Sequence, residues 1–260
     1  MQSSQARAAT IQDLVASQFG PQAEAYVTSA VHAKGEDLED LAKLIAGRGA
    51  ARVLDLGCGG GHVSFTVAPH VAEVVAYDLS PDMLKAVVKE ADGRGLRNII
   101  PVQGVAEDLP FPEASFDFVV SRYSAHHWRH LPSGLAHARS VLKRGGRAIF
   151  MDVVAPANPL FDTFLQSVEL LRDPSHVRDY SVAEWTRAVQ AEGFQVQSVV
   201  ERRLRLEFVS WVTRIATPEL HVAAIRSLQE KASEEVRRHF DIEEDGTFTI
   251  DTMTLMLAPA

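Results

Sequence analysis

This chain is short of sulfur, of positive charge and of long apolar runs. One cysteine, Cys58, among 260 residues excludes an intrachain disulfide and any zinc site built on cysteines. No apolar stretch reaches the length of a membrane-crossing helix, and the opening Met1-Gln2-Ser3-Ser4-Gln5 holds no apolar secretion segment. A cytoplasmic protein with no membrane partner is expected. Lys and Arg number 26 against 34 Asp and Glu, a formal net charge of −8. Phosphate neutralisation needs clustered cations, so no nucleic-acid partner is expected either. Aromatic residues are only 7 %, yet hydrophobic residues reach 46 %, ample for a large core. The length suits one α/β domain with a smaller appended region, and no internal repeat interrupts it.

What is present is concentrated at Arg52-Val53-Leu54-Asp55-Leu56-Gly57-Cys58-Gly59-Gly60-Gly61-His62. An apolar strand runs into an acid and then into glycines that open a helix. Glycine permits the sharp turn and lets backbone approach a ligand closely. A dinucleotide fingerprint starting at Gly57 would need glycine at position 62, where His62 stands, and Asp55 is foreign to it. Cys58 is expected as a small buried residue of the turn. Residues 72–78 form a second strand ending in Asp78, about twenty positions on, where a doubly wound fold places its ribose ligand. Ser80 and Pro81 then start a helix with Met83, Leu84, Val87, Val88 and Ala91 on one face.

Strands at 98–102, 116–121 and 147–153 alternate with helical material, which predicts a doubly wound, mostly parallel seven-stranded α/β sheet. Leu38, Leu41, Leu44 and Ile45 make a helical stripe before the first strand. Further on, 158–172 reads as a helix, and Ser181 with Glu184 as a capping box for a helix stopping at Gly193. A strand is expected within 194–207. After Thr217-Pro218 a longer helix should turn Leu220, Ala224, Leu228, Ala232 and Val236 inward, and 247–257 should return to the sheet as an antiparallel hairpin. This divides the chain into an N-terminal segment (1–34), a core (35–155) and helical cap insertions with terminal strands (156–260). Segments 155–180 and 208–242 are the expected cap over the strand ends.

Taken as a set, Val53-Leu54-Asp55-Leu56-Gly57-Cys58-Gly59, Tyr77-Asp78-Leu79-Ser80, Ala106-Glu107-Asp108-Leu109-Pro110-Phe111, Ser115-Phe116-Asp117 and Val141-Leu142-Lys143-Arg144-Gly145-Gly146 resemble the small-molecule branch of class I S-adenosylmethionine (SAM)-dependent methyltransferases, which includes the ubiquinone and menaquinone methylases. The resemblance covers about residues 35–155 and implies a Rossmann-like fold with SAM as cofactor. It places the backbone of Gly57, Cys58 and Gly59 against the methionine moiety, with Asp55 ordering the turn and the amino group. Asp78 would hold the ribose hydroxyls, Leu79 and Met83 would pack on adenine, and Ala106 would offer it a backbone N–H. Ser121 would meet the methionine end by backbone. Phe19-Gly20-x-x-Ala23-x-x-Tyr26 resembles a segment that folds over the cofactor in that branch, and His32 follows it. One departure is Val105, which stands where the branch commonly has an aspartate facing the adenine amino group; Glu107 is the substitute at hand.

Methyl transfer is an in-line displacement with dispersed charge, so alignment supplies most of the gain, on the order of 7–11 kcal/mol, and no metal is required. A positioned base adds about 10²–10⁴-fold. Candidates follow strand four in Arg122-Tyr123-Ser124-Ala125-His126-His127-Trp128: His126 or His127 as the base, the other packing or touching cofactor. Tyr123 and Trp128 are expected to pack. Arg122, His176 and Arg178 are candidate substrate-binding residues, because arginine matches carboxylates bidentately; surface ion pairing is the competing expectation for the 172–180 loop. Arg202, Arg203 and Arg205 alternate with Leu204 and Leu206, as on a solvated face. The expected partner is a small, aromatic or acidic metabolite methylated at O, N or C; a homodimer is compatible with such a chain. A SAM-binding sensor or partner subunit without transferase activity is the alternative, and a nicotinamide oxidoreductase is disfavoured by His62 and Asp55.

Overall fold

In the computed structural model, which describes residues 10–27 and 35–260, seven strands form one sheet. They are β1 (Arg52–Leu56), β2 (Glu73–Asp78), β3 (Ile99–Gln103), β4 (Phe116–Arg122), β5 (Leu142–Val153), β6 (Phe194–Leu206) and β7 (Phe248–Pro259), in the order β3-β2-β1-β4-β5-β7-β6. The first five run parallel. β7 enters between β5 and β6, antiparallel to both. Strand order reverses between β1 and β4, where an open α/β sheet places its ligand.

Both faces of the sheet are covered, which is why the central strands are apolar at consecutive positions. Leu54, Leu56, Val75 and Val119 face a core shared with Leu135 and Ala138 of a helix at Leu131–Val141 and Trp185 and Val189 of one at Val182–Ala191. Val53, Val74 and Val120 face the opposite core, with Leu38, Leu41 and Ile45 of the helix Glu36–Ile45 and Val63 and Val67 of His62–Val67. Counted along the chain, these join α1 (Ile11–Phe19), α2 (Ala23–Val27), α3 (Glu36–Ile45), α4 (His62–Val67), α5 (Pro81–Gly93), α6 (Leu131–Val141), α7 (Pro159–Arg172), α8 (Val182–Ala191), α9 (Phe208–Thr213), α10 (Glu219–Lys231) and α11 (Glu234–His239).

Local chemistry sets the boundaries. Ser80 accepts a hydrogen bond from the Met83 N–H, Pro81 occupies the first turn of α5, and Met83, Leu84, Val87 and Ala91 are buried. Ser181 and Glu184 cap α8 reciprocally, and Gly193 follows it with φ +78°. Leu165 and Val168 of α7, Trp211 of α9, Ile225 of α10 and Val236 of α11 pack with Val153, Leu206, Phe248 and Ile250, so these helices sit over the carboxyl ends of the parallel strands.

Two expectations are corrected. β5 begins at Leu142 and includes Gly145-Gly146, because pairing with Phe116 starts earlier and then shifts register. A Cβ on Gly146 would lie 2.8 Å from the Asp117 carbonyl, so that glycine allows two strands to approach rather than making a turn. The long C-terminal helix is two helices, the second capped by Ser233, and α10 turns Ile225 and Gln229 inward while Leu220 and Leu228 are exposed. Gln229 sets that rotation: its Nε2 donates to the Gly246 carbonyl at 2.9 Å, and its Oε1 accepts from Arg226. The antiparallel return of the last strand is as expected: β7 pairs with both β5 and β6, and α9, α10 and α11 lie between β6 and β7 in sequence.

Candidate functional site

The glycine turn is held by β2. Gly57 and Cys58 donate their N–H groups to the Tyr77 carbonyl at 2.8 and 3.0 Å, and Gly59 donates to Asp78 Oδ2 at 2.8 Å. Asp78 Oδ1 accepts from the Ser80 N–H at 2.8 Å, so one carboxylate links the turn to the start of α5. Gly57 has φ +73°, and a Cβ there would fall 1.9 Å from Ser124 Oγ; glycine is required by backbone and space alike. Asp55 does not order the turn as expected. Its Oδ2 accepts from the N–H and Oγ of Ser64 at 2.9 and 2.6 Å, fixing α4 instead.

Of the cofactor candidates, Gly57, Gly59, Asp78, Leu79, Met83, Ala106 and Glu107 line one cleft, with Val105 and Trp128. Asp55 and Cys58 join Gly57 and Gly59 in an adjoining recess closed by Arg122 and Tyr123. Glu107 accepts a hydrogen bond from the His130 N–H at 3.2 Å. Ser121 lines neither space: it is buried, its Oγ has no partner among the described residues, and the next three residues supply the wall. From the N-terminal segment, Gln12, Val15 and Phe19 of α1 line the cleft. The Tyr26 side chain and His32 lie outside the described residues. Burial pushes Asp55 up to about 7, against the Ser64 hydrogen bonds, with Asp78 adding to the rise. Burial also raises Asp78, and its backbone hydrogen bonds oppose this. Burial raises the Cys58 thiol far from ionisation, so it is inert packing.

These residues fit SAM by their chemistry. Two carboxylates, Asp55 buried and Asp78 partly buried, whose ionisation desolvation opposes, would gain from a ligand that brings positive charge and hydroxyl donors. Open space beyond the α-carbon of Gly59, with no atom within 4 Å of a built Cβ, lets backbone come close to that ligand.

A second cavity, of about 560 Å³, opens beside the cleft, and Phe19, Tyr123 and His127 line both. Tyr123 is left-handed at φ +51°, its N–H donating to the Met151 carbonyl at 2.8 Å, and the Arg122 guanidinium lies over its ring at 4.7 Å. It packs against the cap helices' core, as expected, and also forms cavity wall. The rest of the wall includes Arg122, Arg172, Arg202, Arg214, His126, Trp211, Glu169 and Asp179. Arg122 is paired with Asp37 at 2.6 Å. Arg202, expected on a solvated face, is mostly buried beside Asp40 and Thr254. His176 sits behind the wall, hydrogen-bonded through Nε2 to Gln166 Oε1 at 2.9 Å. Arg178 points away, into ion pairs with Asp162 and Glu184 at 3.1 and 3.2 Å, the competing expectation for that loop.

The adjacent histidines part company. His127 turns Nδ1 to the Ser175 carbonyl at 3.2 Å, with Nε2 3.9 Å from Asp173; burial and then the His126 charge lower it to about 4. His126 donates from Nδ1 to Asp152 Oδ1 at 2.6 Å. Asp152 is fixed in turn by the N–H groups of Ala125 and Val153, both at 2.9 Å. Burial depresses His126, but the charge of Asp152 and its hydrogen bond outweigh this and raise it to about 9. At neutral pH it is therefore an imidazolium, not a free base. Asp152, Glu169 and Asp179 escaped the sequence reading, since lone acids near helix and strand ends carry no spacing signal.

A methyltransferase domain model matches residues 53–146. The uncharacterized protein YafE of Escherichia coli is 48 % identical over 191 residues, covering 74 % of this chain and 92 % of that protein. The uncharacterized methyltransferase YcgJ of Bacillus subtilis is 36 % identical over 224 residues, 86 % of this chain and 88 % of YcgJ. The YcgJ crystal structure matches with a TM-score of 0.82 at 32 % identity, covering 86 % and 98 % of the two chains. The 2-phytyl-1,4-naphtoquinone methyltransferase of Synechococcus elongatus is 34 % identical over 128 residues, 48 % of this chain and 55 % of that enzyme. The chain belongs to the class I SAM-dependent methyltransferases, enzymes built on this sheet and glycine turn. By that membership it is a methyltransferase.

Proposed function

We propose that this enzyme methylates an ionised oxygen, or the carbon conjugated to it, of a small aromatic metabolite carrying an acidic group. The observation that carries this is the junction of two spaces at Phe19, Tyr123 and His127: a cleft lined by the partly buried acids Asp78 and Glu107, and a cavity with aromatic and cationic walls. Asp78 and Asp55 hold the ribose and amino ends of SAM, and Leu79, Met83 and Ala106 flank its base. Bound SAM supplies an electrophilic methyl group. His126, kept protonated by Asp152, holds the acceptor as its anion, and Phe19, Tyr123 and Trp211 fix its plane and exclude water. Alignment in a dry site accounts for the bulk of the acceleration. Among the described residues no helix is long and apolar enough to cross a membrane.

SAM and S-adenosylhomocysteine, at about 100 times their Kd, should raise Tm by about 5–10 °C, and NAD should not. Asp78→Ala should weaken S-adenosylhomocysteine binding at least about tenfold in calorimetry, because a charge-assisted hydrogen-bonding group is lost. Unchanged affinity would remove Asp78 from the ribose.

A further inference from the structure

Asp179 is unusual among the cavity-lining side chains. It is 1 % exposed, it lies on the wall of the acceptor cavity, and neither carboxyl oxygen has a hydrogen-bond partner among the described residues. Buried polar groups are ordinarily satisfied, and an orphaned one marks a functional position or an absent ligand. The nearest candidate donor, His176 Nε2, is 3.9 Å away and already committed to Gln166. Gln166 also grips the Asp179 backbone, accepting from its N–H at 3.2 Å and donating to its carbonyl at 2.8 Å, so the side chain is fixed where it stands. The N–H groups of Val177 and Arg178 both donate to the His126 carbonyl, at 2.9 and 3.2 Å, which ties this segment to the imidazolium.

We propose that Asp179 is a specificity-determining residue whose carboxyl group donates a hydrogen bond to a second oxygen of the acceptor, the first being held by His126. The acceptor is then a conjugated enolic acid, an aromatic ring bearing an enolate oxygen and a carbonyl oxygen on one short carbon unit. This rests on the assignment of the cavity to the acceptor. Burial raises Asp179 well above the ordinary carboxylate range, the His126 charge opposes this, and Glu169 and Asp152 add to the rise, which favours the protonated, hydrogen-bond-donating carboxyl. A neutral donor beside an imidazolium suits two oxygens sharing one negative charge; two carboxylates there would repel such an anion. Leaving the carboxyl unpaired in the free enzyme makes loss of an acceptor lacking the second oxygen severe, which is how sites built to hydrogen-bond discriminate.

The test uses the full chain loaded with S-adenosylhomocysteine and 4-hydroxycoumarin as the probe, an aromatic enolic acid. Calorimetry should show the probe binding the wild type, binding Asp179→Leu about tenfold to a hundredfold more weakly, and being rescued to within about threefold of wild type in Asp179→Asn, whose amide keeps a donor. Asp179→Leu should not lower Tm, since it removes an unsatisfied buried group. Equal probe affinity in Asp179→Leu, no probe binding by the loaded wild type, or a lowered Tm in both variants would each overturn the proposal. Failure of the wild type to bind S-adenosylhomocysteine would instead remove the methyltransferase cleft itself.

Discussion

Replacing Asp152 by asparagine tests the electrostatics of the acceptor site without needing a substrate. The wild-type carboxylate lifts His126 from 6.5 to about 9 in the folded chain. Because the folded value is the higher, the resulting stabilisation is complete below about pH 6.5 and is lost as pH rises through about 9. That gap corresponds to about 3 kcal/mol for the charged cluster. The Asp152→Asn amide keeps the shape and one acceptor, but removes the charge, and burial then pulls His126 down. The variant also loses part of its bonding to the Ala125 and Val153 N–H groups, at a cost that does not depend on pH. His127, His176, Glu169 and Asp179 face His126 in both proteins. Urea unfolding followed by tryptophan fluorescence should show the wild type ahead of the variant by a margin that shrinks by about 2–3 kcal/mol between about pH 6 and pH 10. A margin that stays flat across that range refutes the raised imidazolium, and with it the picture of an acceptor held as an anion.

Two further outcomes follow from local geometry. Gly57→Ala forces a left-handed alanine into Ser124, so it should cost about 2–4 kcal/mol of stability or abolish S-adenosylhomocysteine binding, read by thermal melting and calorimetry. Arg178→Ala breaks only a partly exposed ion-pair group, so Tm should move by no more than about 2–4 °C and 4-hydroxycoumarin affinity should not change; a tenfold loss of that affinity would return Arg178 to the acceptor site.

The cofactor cleft was legible because its parts are local. A glycine turn, an acid at a strand end and a capped helix each leave a short pattern, and the sheet's switch point brings them together. The acceptor cavity was not legible for the opposite reason. His126, Asp152, Glu169 and Asp179 come from four separate segments, and only tertiary packing makes them neighbours. His126 and His127 could not be ranked from sequence, since adjacency says nothing of which ring a carboxylate 26 residues away will reach. The face of α10 was misjudged because leucine spacing reports apolar content, whereas the buried Gln229 amide fixes the rotation by bonding a distant carbonyl.

The placement of β7 carries a consequence for biosynthesis. The seventh strand in chain order is zipped into the interior of the sheet, and its Ile250 and Thr252 furnish part of the acceptor chamber. A nascent chain can assemble the five parallel strands early, but β5 and β6 must wait, each with an unpaired border, until residues 248–259 leave the ribosome. Nucleoside capture should therefore mature before acceptor capture, and premature termination short of β7 should give an aggregation-prone intermediate able to hold the nucleoside yet with no chamber for the second reactant.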